Sequence, residues 1–197
     1  TYAANSLSAP ACVNSGTETP KYENAEAIGA EIGADENANY MNFQAENIYI
    51  GYKYYETRYE DSILGQGNAS GSNGASNGAA KWVYQDEVTF PFGYGLSYTS
   101  FEQTLDSVQY DAANDEYRAI VTVKNTGSVA GKSVVELYAQ TPYGDYEKQN
   151  KVEKSAVQLA GFTKTDLLQP GQTQQVEVTV DRYLLASYDY VNAKGYI

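Results

Sequence analysis

The residues best equipped for chemistry lie in one stretch, "YIGYKYYETRYED" at positions 49 to 61, where Glu56, Arg58, Glu60 and Asp61 are threaded among five tyrosines. Neighbouring carboxylates can push their pKa values apart, so that one stays protonated as an acid while the other works as a base. Carboxylates beside an arginine at the polar end of an aromatic run more often form a solvated ion-pair group, and that is the expectation here. The tyrosines Tyr49, Tyr52, Tyr54, Tyr55 and Tyr59 also have two readings. As a carbohydrate-binding module, two or three exposed rings would stack on sugar faces. As packing, each ring would bury about 150 to 250 Å2 with its hydroxyl finding a partner. Alternation places Ile48, Ile50, Tyr52 and Tyr54 on one side of an extended strand over 47–55 and Tyr49, Gly51, Lys53 and Tyr55 on the other. Aromatics on both faces favour packing, with the sugar-binding module on 49–59 as the alternative.

The rest of the composition narrows the chemistry further. The chain has 197 residues and no histidine, which removes Ser-His-Asp and Cys-His catalysis and His-ligated zinc. One cysteine, Cys12, excludes an internal disulfide. A net charge of -12 with thirteen Lys and Arg residues makes nucleic acid a poor partner, because such binding rests on basic residues displacing counterions. No run approaches the ~20 apolar residues of a membrane helix, so no membrane partner is expected. The start "TYAANSLSAPACV" lacks the basic and apolar parts of a signal peptide, which leaves localisation open. Asp111, Asp115 and Glu116 fall in a turn without a Gly-centred loop of oxygen ligands, so neither a metal nor a cofactor is expected.

These side chains need elements to position them. Residues 1 to 40 read as mostly irregular, with one short helix at most in "AEAIGAEIGADENA" because Gly29 and Gly33 each cost about 1 kcal/mol against Ala. "GQGNASGSNGASNGAAK", 65–81, holds no side chain able to nucleate a core and predicts a flexible loop, in which Asn68-Ala69-Ser70 is a chance match to a glycosylation acceptor. Beyond it the texture is that of short antiparallel strands. "EYRAIVTVKNTG" turns Ala119, Val121 and Val123 inward, "KSVVELYAQ" Val135, Leu137 and Ala139, and "QQVEVTVD" Val176, Val178 and Val180. "AVQLAGFTKT" adds a strand with Leu159 and Phe162 as core residues, and "QPGQ" at 169–172 a turn.

The most specific segment is "FPFGYGLSYTSF", 90–101, in which Pro91, Gly93 and Gly95 alternate with Phe90, Phe92, Tyr94 and Leu96. Such glycines let a backbone approach another surface while the rings anchor it, which describes a docking strand. Taken in order with "ENIYIGYKYYET", "VTVKNTGSVAGKSVVELYAQ", "LAGFTKTDLLQPGQTQQVEVTVD" and "LLASYD", it makes the chain resemble glycoside hydrolase family 3, the β-glucosidase family, over roughly residues 40 to 190.

The resemblance implies a mainly β fold. An immunoglobulin-like, fibronectin type III-like antiparallel β-sandwich at 98–197 would be preceded by a largely irregular segment, 1–97, from the end of an α/β sandwich domain. It implies further that the β-sandwich lacks its last strand or strands. The family hydrolyses β-glucosides and oligosaccharides with retention, using two carboxylates, but no segment here matches the one carrying the nucleophile, and 197 residues cannot contain a TIM barrel of about 250. No catalytic residue is carried over. The implied role is interdomain support through Tyr52, Tyr54, Tyr55, Arg58, Phe90, Phe92, Gly93, Tyr94 and Gly95. Its partners would be the TIM barrel and α/β sandwich of the same enzyme, which Lys53 and Arg58 could reach through their carboxylates.

Overall fold

The computed structural model describes residues 1–4, 47–65 and 82–197, which divide into two compact units, Thr1–Tyr94 and Gly95–Ile197. The predicted short helix, the body of the 65–81 loop and Asn68-Ala69-Ser70 lie outside the described residues.

In the first unit, strand β1 (Tyr2–Ala3) pairs antiparallel with a later strand, helix α1 spans Tyr52–Tyr59 and continues into a π-helical turn at Glu60–Leu64, helix α2 covers Tyr84–Glu87 and β2 (Val88–Phe90) is the partner of β1. The strand expected over 47–55 is therefore a helix over its second half. Tyr52, Tyr55 and Tyr59 satisfy the helical spacing i, i+3, i+7 as well as any strand pattern, and tyrosine's preference for strands reflects packing context more than backbone. Gly51, at φ 55°, turns the chain into the helix, and Gly65, at φ 66°, ends the π turn with its N–H on Glu60 O. Both angles lie in the left-handed region that glycine enters without steric cost.

The second unit is built from β3 (Phe101–Asp111), β4 (Glu116–Asn125), β5 (Val134–Ala139), helix α3 (Asp145–Asn150), β6 (Gln158–Lys164), β7 (Thr173–Asp181), a 3-10 turn at Arg182–Leu185, and the short pair β8 (Tyr188–Asp189) and β9 (Gly195–Tyr196). β3, β4 and β7 form one antiparallel sheet with β4 in the centre, and β5 pairs with β6 in a second. The inward sets read from alternation hold: Ala119, Val121, Val123, Val135, Val178 and Val180 are buried, with Leu137 and Val176 packed against them. Burying each such aliphatic side chain contributes about 1.5 to 3 kcal/mol. The "QPGQ" turn is present as well, Gln172 N donating to Gln169 O at 2.9 Å with Gly171 at φ 79°, the arrangement in which proline at the second position and glycine at the third are favoured.

One core residue does not fit. Phe162 is 71% exposed. Its register partner Glu136 lies on the outer face of β5, whereas Gly161 and Thr163 oppose the inward Leu137 and Val135. The residue that faces the core is Gly161, where a Cβ would stand 2.8 Å from Val178 Cγ1, so β6 crosses β7 too closely for any side chain. The second sheet packs over β4 and β7. On β3, Leu105, Val108 and Tyr110 oppose Val121, Ala119 and Tyr117 on that same face yet remain about half exposed.

Candidate functional site

Helix α1 gathers the tyrosines into a core of their own. Tyr55, Trp82 and Val88 are buried, with Ala3, Tyr54 and Tyr84 packed around them. The rings meet edge to face: Tyr54 on Tyr55 at 5.2 Å, Tyr59 on Tyr84 at 5.4 Å and Trp82 on Tyr84 at 6.0 Å. This is the geometry that aromatic quadrupoles prefer in packing. Tyr49, Tyr52, Tyr54, Tyr55 and Tyr59 are all buried or half-buried, so the segment does not offer the exposed coplanar rings a sugar-binding platform would need.

The acidic cluster resolves the same way. Arg58 is 6% exposed, not solvated as the sequence suggests, and its guanidinium lies 5.6 Å from the Trp82 ring centroid. It shares one helical face with Tyr55 three residues earlier, which the strand reading placed elsewhere. Glu56 Oε1 accepts the Tyr84 hydroxyl at 2.8 Å. Burial, then that hydrogen bond and the carboxylate charge, push the Tyr84 phenol well above its ordinary range. The Tyr55 phenol is raised by burial first and by the charge of Glu87 second.

The predicted docking strand is extended only at Val88–Phe90. Tyr94 N then donates to Pro91 O at 3.2 Å, closing a turn with Gly93 at φ 80°. Phe92 stacks on Tyr52 with centroids 4.5 Å apart, and Phe90 on Tyr94 at 4.9 Å. Within the first unit Tyr54 and Tyr55 thus pack together, Arg58 lies by Trp82, Tyr52 meets Phe92, and Phe90 and Tyr94 form a pair of their own. Gly93 is required by its φ. At Gly95 a Cβ would meet no atom within 4 Å, so its small size serves no close approach among the described residues. In the second unit, Leu96 is 90% and Tyr98 98% exposed.

The turn at 111–116 is an ion-pair cluster. Asp115 takes Arg182 Nε at 2.6 Å and Nη2 at 3.0 Å, and accepts the Tyr110 hydroxyl at 2.5 Å. The bonds from Arg182 and then Tyr110 lower its pKa to about 2. Arg118 binds Glu116 at 2.7 Å and Asp111 at 3.1 Å. Two polar centres escaped the sequence reading. Asn125, fully buried, donates Nδ2 to Val129 O (2.8 Å) and Leu168 O (2.9 Å), and its Oδ1 accepts from Thr99 Oγ1 (2.8 Å) and Gly127 N (3.0 Å). Asp189, also fully buried, accepts from Tyr146 Oη (2.5 Å) and from the amides of Val191 and Asn192 (both 2.9 Å). The only trace of the first is the "NTG" that ends β4.

Two facing antiparallel sheets joined by long loops define a fibronectin type III-like β domain, and the family model for that domain matches residues 133–195. Beta-glucosidase A of Butyrivibrio fibrisolvens is 35% identical over 170 residues, covering 80% of this chain and 17% of that protein. A beta-glucosidase of Ruminococcus albus is 34% identical over 149 residues, 76% of this chain and 12% of its own length. The crystal structure of a beta-glucosidase from Paenibacillus barengoltzii superposes with a TM-score of 0.65 at 31% identity, covering 98% of this chain and 16% of that one. Residues 133–195 carry a fibronectin type III-like domain, and over most of its length the chain is similar to these beta-glucosidases, in keeping with the C-terminal region of a glycoside hydrolase family 3 enzyme. The chain spans 17% and 12% of the length of these two curated relatives, in which the matched region is a small part of a larger, multidomain polypeptide.

Proposed function

We propose that this chain is the non-catalytic C-terminal portion of a β-glucosidase-like enzyme and acts as interdomain support. The parent enzyme cleaves β-linked glucosides with retention, through carboxylates supplied by its TIM barrel and a neighbouring segment. The residues up to about 97 close the α/β sandwich domain, and 98 onward form the β domain, a boundary three residues past the division at Tyr94. The observation that carries the reading is Leu96 and Tyr98, 90% and 98% exposed in the first residues of the second unit. Large apolar side chains in such a position suit a surface that other domains cover. The aromatic residues of 49–59, by contrast, are spent on the chain's own packing.

Covering Leu96 in the parent enzyme would contribute about 1.5 to 3 kcal/mol, and Tyr98 a similar amount. In the parent enzyme, Leu96→Ala with Tyr98→Ala is expected to lower Tm and kcat/KM toward an aryl β-glucoside together. The isolated chain is expected to release no aglycone. Turnover by the isolated chain, or a double variant identical to the parent in both measurements, overturns the proposal.

A further inference from the structure

Leu96 and Tyr98 stand in solvent, but the backbone beneath them is held at its root. Thr99 donates its hydroxyl to Asn125 Oδ1 at 2.8 Å, and the amides of Thr126 and Gly127 donate to Ser100 O at 2.8 and 3.2 Å. Asn125 is itself fixed before it meets Thr99. Its Nδ2 spans Val129 O and Leu168 O, its backbone N–H donates to Gln172 O at 3.0 Å, and its carbonyl accepts from Gly171 N at 2.9 Å. At Gly127 a Cβ would stand 2.7 Å from Ser100 N, so the two backbones touch where only glycine fits.

We infer that Thr99, Asn125 and Gly127 form a positioning lock, which sets the direction in which Gly95–Tyr98 leaves the β domain and presents Leu96 and Tyr98 to an uncharged apolar pocket elsewhere in the parent polypeptide. The choice of occupant rests on the function proposed above; the lock is a property of this chain alone. "GLSYTS", 95–100, has no carboxylate or basic group in a chain of net charge -12, which suits an apolar and not an ionic receptor. The matched region is 12% to 17% of the longer relatives, so the parent polypeptide has ample surface to supply that pocket. A segment already ordered loses little freedom on docking, so the same contacts bind more tightly. Asn125 acts through Thr99 and is a positioning residue.

Backbone 15N relaxation on the 197-residue chain tests the lock. The amides of Ser97, Tyr98 and Thr99 are expected to show order parameters near about 0.85, falling below about 0.6 in Thr99→Val while β4 stays rigid. Thr99→Val removes one hydroxyl and leaves the other bonds of Asn125, so it decides the matter even if Asn125→Ala does not fold. Low order parameters in the unaltered chain, or values unmoved by Thr99→Val, overturn the lock. Rigid amides beside a parent enzyme whose Tm ignores Leu96→Ala with Tyr98→Ala overturn the occupant and the proposed function, and leave the lock standing.

Discussion

Replacing Asn125 with alanine removes four side-chain hydrogen bonds at a site with no solvent exposure. Their partners do not suffer equally. Thr99 is half-buried and Val129 is 48% exposed, so water can replace part of what they lose, and such bonds are worth about 0.5 to 1.5 kcal/mol each. Leu168 is 2% exposed, and an unmet buried carbonyl costs about 1 to 3 kcal/mol. With the half-buried Gly127 amide losing a further ~0.5 to 1.5 kcal/mol, the sum is about 2.5 to 7.5 kcal/mol, against a typical domain stability of about 5 to 15 kcal/mol. For a domain near 100 residues each kcal/mol moves Tm by about 4 to 8 °C, so the Tm followed by circular dichroism should fall by at least about 10 °C. Asn125→Asp separates donors from acceptors. It keeps an oxygen for Thr99 and Gly127 but sets carboxylate oxygens against the carbonyls of Val129 and Leu168, and should be at least as damaging at pH 7. A loss below about 1 kcal/mol in Asn125→Ala, or Asn125→Asp close to wild type, would refute the assignment of Asn125 as the centre of this network.

Acid should weaken the β domain by a defined route. Glu147, held by Lys154 and by the Gly144 amide, and Asp115, held by Arg182 and Tyr110, both titrate at about 2 in the folded chain, and Asp189 is lowered by Tyr146 and by backbone amides. Folded values below the unfolded ones mean that the stabilisation is complete above the ordinary carboxylate range and is lost as pH falls. Tm should be level above about pH 5 and drop between about 4.5 and 2, less steeply in Glu147→Gln. Gly161→Val forces a branched side chain against Val178 and the Thr179 carbonyl, 2.8 and 3.2 Å from the new Cβ, and should cost about 1 to 3 kcal/mol or more in urea unfolding. Phe162→Ser, on the outer face, should change the same midpoint by less than about 0.5 kcal/mol.

The β domain was legible because Ala119, Val121, Val123, Val135, Val178 and Val180 recur at a period of two among mostly polar neighbours, Ile120 and Val134 excepted, and that period has a single structural meaning over such a length. The ordered motifs also carried the family, since "FPFGYGLSYTSF" and "KNTG" are constrained by turns and close contacts that few sequences meet. Legibility failed where one pattern served two structures. The tyrosines of 49–59 satisfy both helix and strand, and only their contacts with Trp82, Tyr84 and Phe92, far along the sequence, decide between them. Phe162 and Leu159 read as core residues, but a register shift beside Leu137 sets both opposite the outer-face residues Glu136 and Tyr138, an irregularity that no sequence period announces. Asn125 was missed because its value depends on Thr99, Gly127, Val129 and Leu168 converging, and a polar residue before "TG" reads as an ordinary strand end. Arg58 reads as a surface charge until its aromatic cover is in view.

The half-open flank of β3, with Leu105, Val108 and Tyr110 on the inward face of its sheet, has a practical corollary. Apolar rows beside unpaired strand margins recruit whatever extended peptide is nearby, including a neighbouring molecule. When the chain is handled by itself, its behaviour should vary with concentration, and a lysine in place of Val108 should keep it monodisperse in light scattering at doses where the unaltered chain self-associates.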